Sequence, residues 1–148
     1  MSATERPDHW RTMESVYAES AIHQALGLRL AVNGPGDVSV LYDGASAATN
    51  RNGNPAGGAL AEMVDSAVVQ AARTLLEATD RTVTIELKVN FVRGVPSGEP
   101  LTTRGMIDHL GRTTAVGTGR VEDQAGHLVA VGLVTVNIRR SPGSDSGG

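Results

Sequence analysis

Hydrophobic residues follow a helical period in the first half of the chain and a strand period in the second half. An amphipathic helix is predicted over residues 10–25, and Gly27 can end it in the left-handed conformation. Residues 28–32 and 38–42 follow as the strands of a hairpin, because Asn, Gly and Pro residues separate them. The apolar side of the first helix is expected to consist of Met13, Val16, Tyr17 and Ala21.

The longest helical pattern covers residues 58–78 and is apolar around most of its circumference. At about 100° per residue, its polar side chains fall in one narrow stripe. Such a wide apolar arc indicates a helix that other elements surround. The polar stripe consists of Glu62, Ser66, Gln70, Arg73 and Glu77.

Four longer strands are predicted in the second half, at residues 83–91, 101–110, 113–122 and 128–138. The first of them alternates strictly, and short turns separate the other three, so neighbouring strands are expected to be antiparallel. The pattern therefore predicts an α+β fold in which an antiparallel sheet wraps one long central helix. The apolar face of the first long strand consists of Val83, Ile85, Leu87, Val89 and Phe91.

Length and composition indicate a single domain that binds neither nucleic acid nor membranes. A chain of 148 residues can bury one core, which we expect within residues 10–140. Its ends, residues 1–9 and 141–148, are small and polar and are expected to be disordered. A net charge of −3, with one Trp, two Tyr and one Phe in all, disfavours a nucleic-acid surface. No apolar run approaches the roughly 20 residues that span a bilayer.

The chain contains no cysteine, which excludes disulfides, Cys-ligated zinc and a cysteine nucleophile. No two histidines have metal-ligand spacing on one helix, so no metal site is expected. The N-terminal residues lack the apolar segment of a signal peptide. These features favour a cytoplasmic protein.

Asp65 lies outside the polar stripe of the long helix, at the angular position of Ala61, Ala72 and Leu76. An ionised carboxylate in an apolar arc needs donors, because its burial without partners costs several kcal/mol. Asp65 is therefore either a structural residue held by a Ser or Thr, or a general base or nucleophile.

A pair of glycines, Gly57 and Gly58, stands where the long helix begins. The pair can serve a loop that requires positive φ. It can also let a substrate approach the backbone, because first-turn N–H groups lack intrahelical acceptors and can stabilise an oxyanion. Both interpretations are open from the sequence alone.

The order of these elements resembles that of the hotdog-fold thioesterases of the PaaI type, which hydrolyse acyl-CoA thioesters. The resemblance covers roughly residues 20–138 and includes the strand TVTIELKVNFVR. The residues that carry it most specifically are Asn50, Gly53, Gly57, Gly58 and Asp65.

The resemblance implies a role for each matching position. Asn50 matches a residue that orients the substrate or the catalytic water, and Gly57 matches the glycine whose N–H polarises the thioester carbonyl. Asp65 matches the acid that serves as base toward water or as nucleophile. Thr84 matches a hydroxyl that assists the water in some members. The site is built between two subunits, so a homodimer or a dimer-of-dimers tetramer is expected.

Ala56 departs from the family motif, which has a histidine before the two glycines. Alanine cannot donate a hydrogen bond, so Ala56 and Gly58 are expected to line the substrate without the contact of the missing imidazole. None of the four histidines in the chain can be connected to the role of the missing one. Each is expected to be an ordinary surface or strand residue: His9, His23, His109 and His127.

Arginines at strand ends are candidates for binding the phosphates of CoA, because a guanidinium matches the phosphate geometry. These are Arg93, Arg112 and Arg139. CoA is then part of the substrate, and no separate cofactor is expected. The sequence thus favours an acyl-CoA thioesterase. A non-catalytic acyl-CoA-binding protein is the alternative that Ala56 favours, and a hydratase or dehydratase ranks below both, since the loop and helix lack a catalytic histidine.

Overall fold

A six-stranded antiparallel sheet wraps one long helix in the computed structural model, which describes residues 6–44 and 49–143. Three helices and six strands follow one another along the chain. They are α1 (Asp8–Glu19), α2 (Ala21–Leu26), β1 (Leu28–Gly34), β2 (Asp37–Tyr42), α3 (Gly57–Arg73), β3 (Arg81–Phe91), β4 (Leu101–Leu110), β5 (Thr114–Asp123) and β6 (Leu128–Arg139).

The sheet has the strand order β1-β2-β4-β5-β6-β3, and every neighbouring pair is antiparallel. β1 and β3 are thus the edge strands of the described sheet. The predicted architecture is confirmed, and the predicted strands agree with the observed ones to within two residues at each end. Of the predicted disordered ends, residues 1–5 and 144–148 lie outside the described residues.

A row of glycines lets α3 lie directly on the sheet. Gly105, Gly119 and Gly132 are cross-strand neighbours on β4, β5 and β6. A Cβ at Gly105 would lie 2.5 Å from the carbonyl carbon of Ala67, and one at Gly132 would lie 2.7 Å from a methyl carbon of Val64. Side chains at these positions would push the helix outward, so the missing Cβ atoms set the helix–sheet distance.

The central helix ends at Arg73, five residues before the predicted end at residue 78. Thr74 ends it: its hydroxyl donates to the Ala71 carbonyl (2.7 Å) and accepts from the Gly36 N–H of the β1–β2 turn (2.7 Å). Gly36 is far from Thr74 in the sequence, so the helical period alone does not predict this end of the helix.

The predicted first helix is in fact two helices, since Ser20 is extended (φ −64°, ψ 128°) between α1 and α2. Gly27 caps α2 at φ 66°, as predicted. The prediction of an apolar side is wrong at Val16, which is 60% exposed, and at Ala21, which is also exposed. Trp10 and Tyr17 are the residues that α1 buries.

An irregularity in β3 overturns the predicted alternation. The register with β6 shifts between Thr84 and Glu86, which leaves Ile85 unpaired as a bulge. Before the bulge, Thr84 is half-buried and Val83 is 55% exposed; after it, Val89 packs against the core. The bulge therefore exchanges the strand's inward-facing and outward-facing positions, and a polar side chain faces α3.

No described helix is both long enough and apolar enough to cross a membrane.

We expect Gly105→Ala to lower the free energy of unfolding by about 1–3 kcal/mol or more, because its Cβ meets the backbone of α3. Gly34→Ala is the matched control, since a Cβ there meets nothing within 4 Å. Urea denaturation followed by circular dichroism measures both. Equal stabilities of the two variants would contradict the role of the glycine row.

Candidate functional site

Asp65 is half-buried on α3 and holds a short hydrogen bond to the sheet. The Thr84 hydroxyl donates to Asp65 Oδ1 at 2.7 Å. The contact depends on the bulge at Ile85, because the strict alternation predicted from the sequence would have turned Thr84 away from the helix. The structure thus joins two residues predicted from the sequence, and this bond is compatible with both the structural and the catalytic interpretation of Asp65.

The first turn of α3 offers unbonded N–H groups. Ala56 is the N-cap residue (φ −64°, ψ 145°), and no side chain caps the helix. The Ala56 carbonyl accepts from the N–H groups of Ala59 and Leu60. Among the described residues, no acceptor faces the N–H groups of Gly57 and Gly58, both of which are exposed. This end of the helix therefore combines free donors with the positive end of the helix dipole.

The phenyl ring of Phe91 lies against Gly57. A Cβ built on Gly57 would lie 3.3 Å from Phe91 Cζ, whereas one built on Gly58 meets nothing within 4 Å. Glycine at position 57 thus leaves the backbone uncovered next to an aromatic surface on the edge strand.

Asn50 organises the loop that precedes α3. Its side-chain Oδ1 accepts the N–H groups of Asn52 (2.9 Å) and Asn54 (3.2 Å), and its own N–H donates to the Asn54 carbonyl (2.7 Å). The loop and the helix start enclose a cavity of about 290 Å³. Asn50, Gly57, Leu60, Phe91 and Arg93 are among its lining residues.

The predicted residues therefore form two groups in one chain. Asn50, Gly57 and Arg93 share the cavity, with Ala56 and Gly58 beside Gly57. The second group is the Asp65–Thr84 pair.

Arg112 joins neither group. It lies in the β4–β5 turn, where its carbonyl accepts from Arg140 Nε at 3.5 Å. Arg140 in turn contacts Asp80, which follows α3, so Arg112 lies toward the C-terminal end of the helix.

A partly buried polar network lies next to Asp65, and the sequence pattern does not predict it. His23 Nε2 lies 3.1 Å from Glu62 Oε1, and the His23 ring stacks on Tyr17 at 3.6 Å. The Tyr17 and Ser66 hydroxyls are 2.8 Å apart. Because Glu62 and Ser66 flank Asp65 on α3, this network covers the helix on the side that faces α1 and α2.

The prediction that His23 is a surface or strand residue is wrong, because it is buried in α2. Burial raises the pKa of Glu62 despite its bond to His23, and burial likewise raises the pKa of Tyr17 above its usual range. The sequence signal for this network is the four-residue spacing of Glu62 and Ser66, which places both on one side of α3. Polar residues in such a stripe can face another helix as well as solvent.

Within the described ranges, no three His, Asp or Glu side chains cluster in a way that could hold a metal ion.

A family model described as Thioesterase superfamily matches residues 52–130, which is more than half of the chain. None of the curated protein sequences compared with the chain matches it significantly.

Solved structures share the whole architecture. The E. coli PaaI protein from the phenylacetic acid degradation operon is 23% identical, with a TM-score of 0.78 over 91% of this chain and 94% of that chain. A mutant of the phenylacetic acid degradation protein PaaI from Thermus thermophilus is 26% identical, with a TM-score of 0.72 over 82% and 100%. A thioesterase family protein from Silicibacter pomeroyi is 26% identical, with a TM-score of 0.79 over 88% and 98%.

We expect Thr84→Val to lower the free energy of unfolding by about 1–3 kcal/mol, because it removes a donor to a half-buried carboxylate without changing the side-chain volume. Thr82→Val, two residues earlier on the same face of β3, is the control. Chemical denaturation of both variants provides the measurement, and an equal loss of stability would show that the Asp65 contact contributes nothing.

Proposed function

The chain belongs to the thioesterase superfamily, and we propose that it hydrolyses an acyl-CoA thioester to the free acid and CoA. Its architecture is the hotdog fold of PaaI-like thioesterases, as the sequence predicted. The observation that carries the proposal is the pairing of a half-buried carboxylate, Asp65, with free N–H groups at the start of the same helix. Hydrolysis of an ester-like bond needs both groups: one to activate water and one to stabilise the oxyanion.

The Gly57 N–H polarises the thioester carbonyl in the proposed mechanism, and Asp65 acts by one of two routes. As a general base, Asp65 takes a proton from water while the water oxygen attacks the carbonyl carbon. The carbon–sulfur bond then breaks, and the proton passes to the CoA thiolate. As a nucleophile, a carboxylate oxygen attacks the carbonyl carbon and expels the CoA thiolate, which gives a mixed anhydride. Water then hydrolyses the anhydride to the free acid and the Asp65 carboxylate, and the proton released passes to the thiolate. In both routes Thr84 holds the carboxylate, and no metal or separate cofactor takes part.

Asn50 contributes by shaping the loop. Its Oδ1 is engaged by backbone N–H groups of Asn52 and Asn54, which fixes the approach to Gly57. Orientation of the substrate or the water would then come from its amide nitrogen, for which no described residue serves as acceptor.

A single chain cannot use its own Gly57 and Asp65 on one substrate. The two residues are eight positions apart on a continuous helix, which is about 12 Å along its axis. The Gly57 N–H would bind the carbonyl oxygen, and Asp65 would act at the carbon bonded to that oxygen. The two protein groups of one site therefore have to lie within a few ångströms of each other. We therefore infer that Gly57 and Asp65 of one site come from different subunits.

The edge strand β3 supports this two-subunit site. Thr84 lies beside Asp65, and Phe91 lies beside Gly57, so these two strand positions lie level with the two helix groups. An antiparallel pairing of two β3 strands about a centre near Leu87 and Lys88 brings Asp65 of one subunit next to Gly57 of the other. Exposed apolar residues on this edge would then be covered: Val83, Ile85, Phe91 and Val92. The resulting homodimer can pair further into a tetramer.

The CoA part of the bound substrate would lie along the cavity at Gly57. Arg93 lines that cavity and lies 3.9 Å from Asp123, with its side chain 50% exposed, so it can turn toward a phosphate. Arg112 lies toward the C-terminal end of α3 in its own subunit, so it can serve a CoA bound at the partner's cavity when the two β3 strands pair antiparallel.

Non-catalytic binding of acyl-CoA is the alternative. Ala56 favours it, because this residue gives the helix start no side-chain hydrogen bond.

We expect Asp65→Asn to lower kcat by about 10²–10⁴-fold, because the amide keeps the Thr84 contact but can neither accept a proton nor attack. Release of CoA from a panel of acyl-CoA thioesters, followed with a free-thiol reagent, is the measurement. Asp108→Asn is the control, since Asp108 is an exposed aspartate that also accepts from a threonine, Thr118 at 2.6 Å. Binding without CoA release by the wild type supports the non-catalytic alternative, and release by Asp65→Asn at the wild-type rate refutes the role of Asp65.

We expect light scattering to show at least a dimer. We also expect a bismaleimide linker to join two copies of the Lys88→Cys variant, because Lys88 lies near the centre of the proposed β3–β3 pairing. The chain has no native cysteine, so each cross-link reports one position. Val83→Cys is the control, because equivalent residues five positions from the two-fold axis lie about 30 Å apart. A monomer, or equal cross-linking of both variants, would refute the proposed pairing.

A further inference from the structure

The two edges of the sheet differ in what their outward backbone groups bond to. β1 and β3 are the edge strands of the described sheet. In an antiparallel strand, the N–H and C=O groups of alternate residues point away from the paired neighbour, so an edge strand presents unpaired groups to another chain. Along the 11 residues of β3, no side chain of the described part of the chain bonds to the backbone. The edge at β3 is therefore open.

Two charged side chains close the edge of β1 at Val32. The Val32 N–H donates to Glu14 Oε1 of α1 at 2.8 Å, and the Val32 carbonyl accepts from Arg6 Nη2 at 3.3 Å. Arg6 Nη2 also donates to Glu14 Oε1. The carboxylate and the guanidinium thus make the two bonds that one residue of a neighbouring antiparallel strand would make with Val32.

This contact has to be displaced before a strand can pair along β1. The side chains of Arg6 and Glu14 are partly buried, with exposed fractions of 30% and 25%. Hydrogen bonds that involve ionised groups are stronger than those between neutral groups. A neutral backbone from a second chain would therefore exchange stronger bonds at Val32 for weaker ones.

The rest of the β1 edge offers little length for pairing. Arg29 and Ala31 pair with β2, so the outward groups alternate with them and belong to Leu28, Leu30 and Val32. Within the described ranges, no residue bonds to the outward groups of Leu30. With Val32 occupied, β1 keeps too few free positions for a continuous ladder, although it has seven residues.

We propose that Arg6 and Glu14 form an edge cap that prevents β1 from pairing with β1 of a second copy, and that the cap restricts strand pairing between copies to β3. The inference does not depend on hydrolysis. Both side chains lie at the edge of the sheet opposite to the Asp65–Thr84 contact.

A second copy is the occupant that an uncapped β1 fits. Two β1 strands related by a two-fold axis present the same row of groups to each other, so each donor can meet an acceptor. A subunit that paired at both edges would have a partner on each side, and copies would join into an open-ended sheet. When β1 is capped, pairing through β3 alone ends after two copies.

Glu14→Ala tests the edge cap, because alanine leaves the Val32 N–H without its acceptor and Arg6 without this partner. We expect its mass in light scattering to rise with concentration to about twofold or more above that of the wild type. Glu19→Ala is the matched control. It removes the same charge from an exposed position of α1, where Glu19 contacts only Ser15 of its own helix, and its mass should equal that of the wild type.

Glu14→Gln should restore the wild-type mass, since its amide oxygen can still accept from Val32 and from Arg6. Hydrogen exchange then locates the contact. In dilute Glu14→Ala, the Val32 amide should exchange about tenfold faster or more than in the wild type. Where the mass rises, the amides of Val32 and Leu30 should become protected. The exchange rate of Leu30 in the wild type should not depend on concentration.

Equal masses of Glu14→Ala and the wild type at every concentration overturn the edge cap. An equal rise in Glu19→Ala overturns it too, because loss of charge would then suffice. A rise in Glu14→Ala without protection of Leu30 places the contact elsewhere and also refutes the proposal. Circular dichroism verifies folding. If Glu14→Ala unfolds, Arg6→Ala decides: it frees the Val32 carbonyl, leaves α1 unchanged, and must raise the mass in the same way.

Discussion

The close contact between α3 and three adjacent glycines is the constraint on which the rest of the structure depends. Gly105, Gly119 and Gly132 lie side by side under Val64 and Ala67, so the helix rests on backbone instead of on side chains. Because the helix lies this close, the outer strands have to curve around it to cover its remaining apolar surface. The same contact fixes the position of the helix along the strands, which determines which strand residue each helix residue meets.

That fixed position gives the site its geometry. Asp65 follows Val64 directly and reaches Thr84 across the edge of the sheet, while Gly57 lies two turns earlier beside Phe91. Two functional groups on a rigid helix cannot approach each other, and this rigidity makes a second subunit necessary in the proposed mechanism. The partly buried Glu62–His23 contact and the buried Tyr17–Ser66 hydroxyl pair hold the opposite side of the helix against α1 and α2.

Much of the fold could be predicted from the sequence because the strands are amphipathic or apolar in short runs separated by turn residues. The unusual position of Asp65 was also visible, since a helical wheel needs no tertiary information. Several of the features that escaped prediction depend on distant partners. Thr74 ends α3 through Gly36, and the bulge at Ile85 arises from pairing with β6. His23 stacks on Tyr17, six residues earlier, but its contact with Glu62 joins residues thirty-nine positions apart and is not visible in the local sequence.

The bulge in β3 also bears on how such a chain can evolve. It separates a segment whose inward positions have even numbers, including Thr84, from a segment whose inward positions have odd numbers, including Val89. A substitution leaves the register of the strand in place, but insertion or deletion of one residue between Thr84 and Phe91 would turn one of the two helix-facing ends outward. The structure therefore constrains the number of residues in this strand, because the number decides which side chains at its two ends face α3.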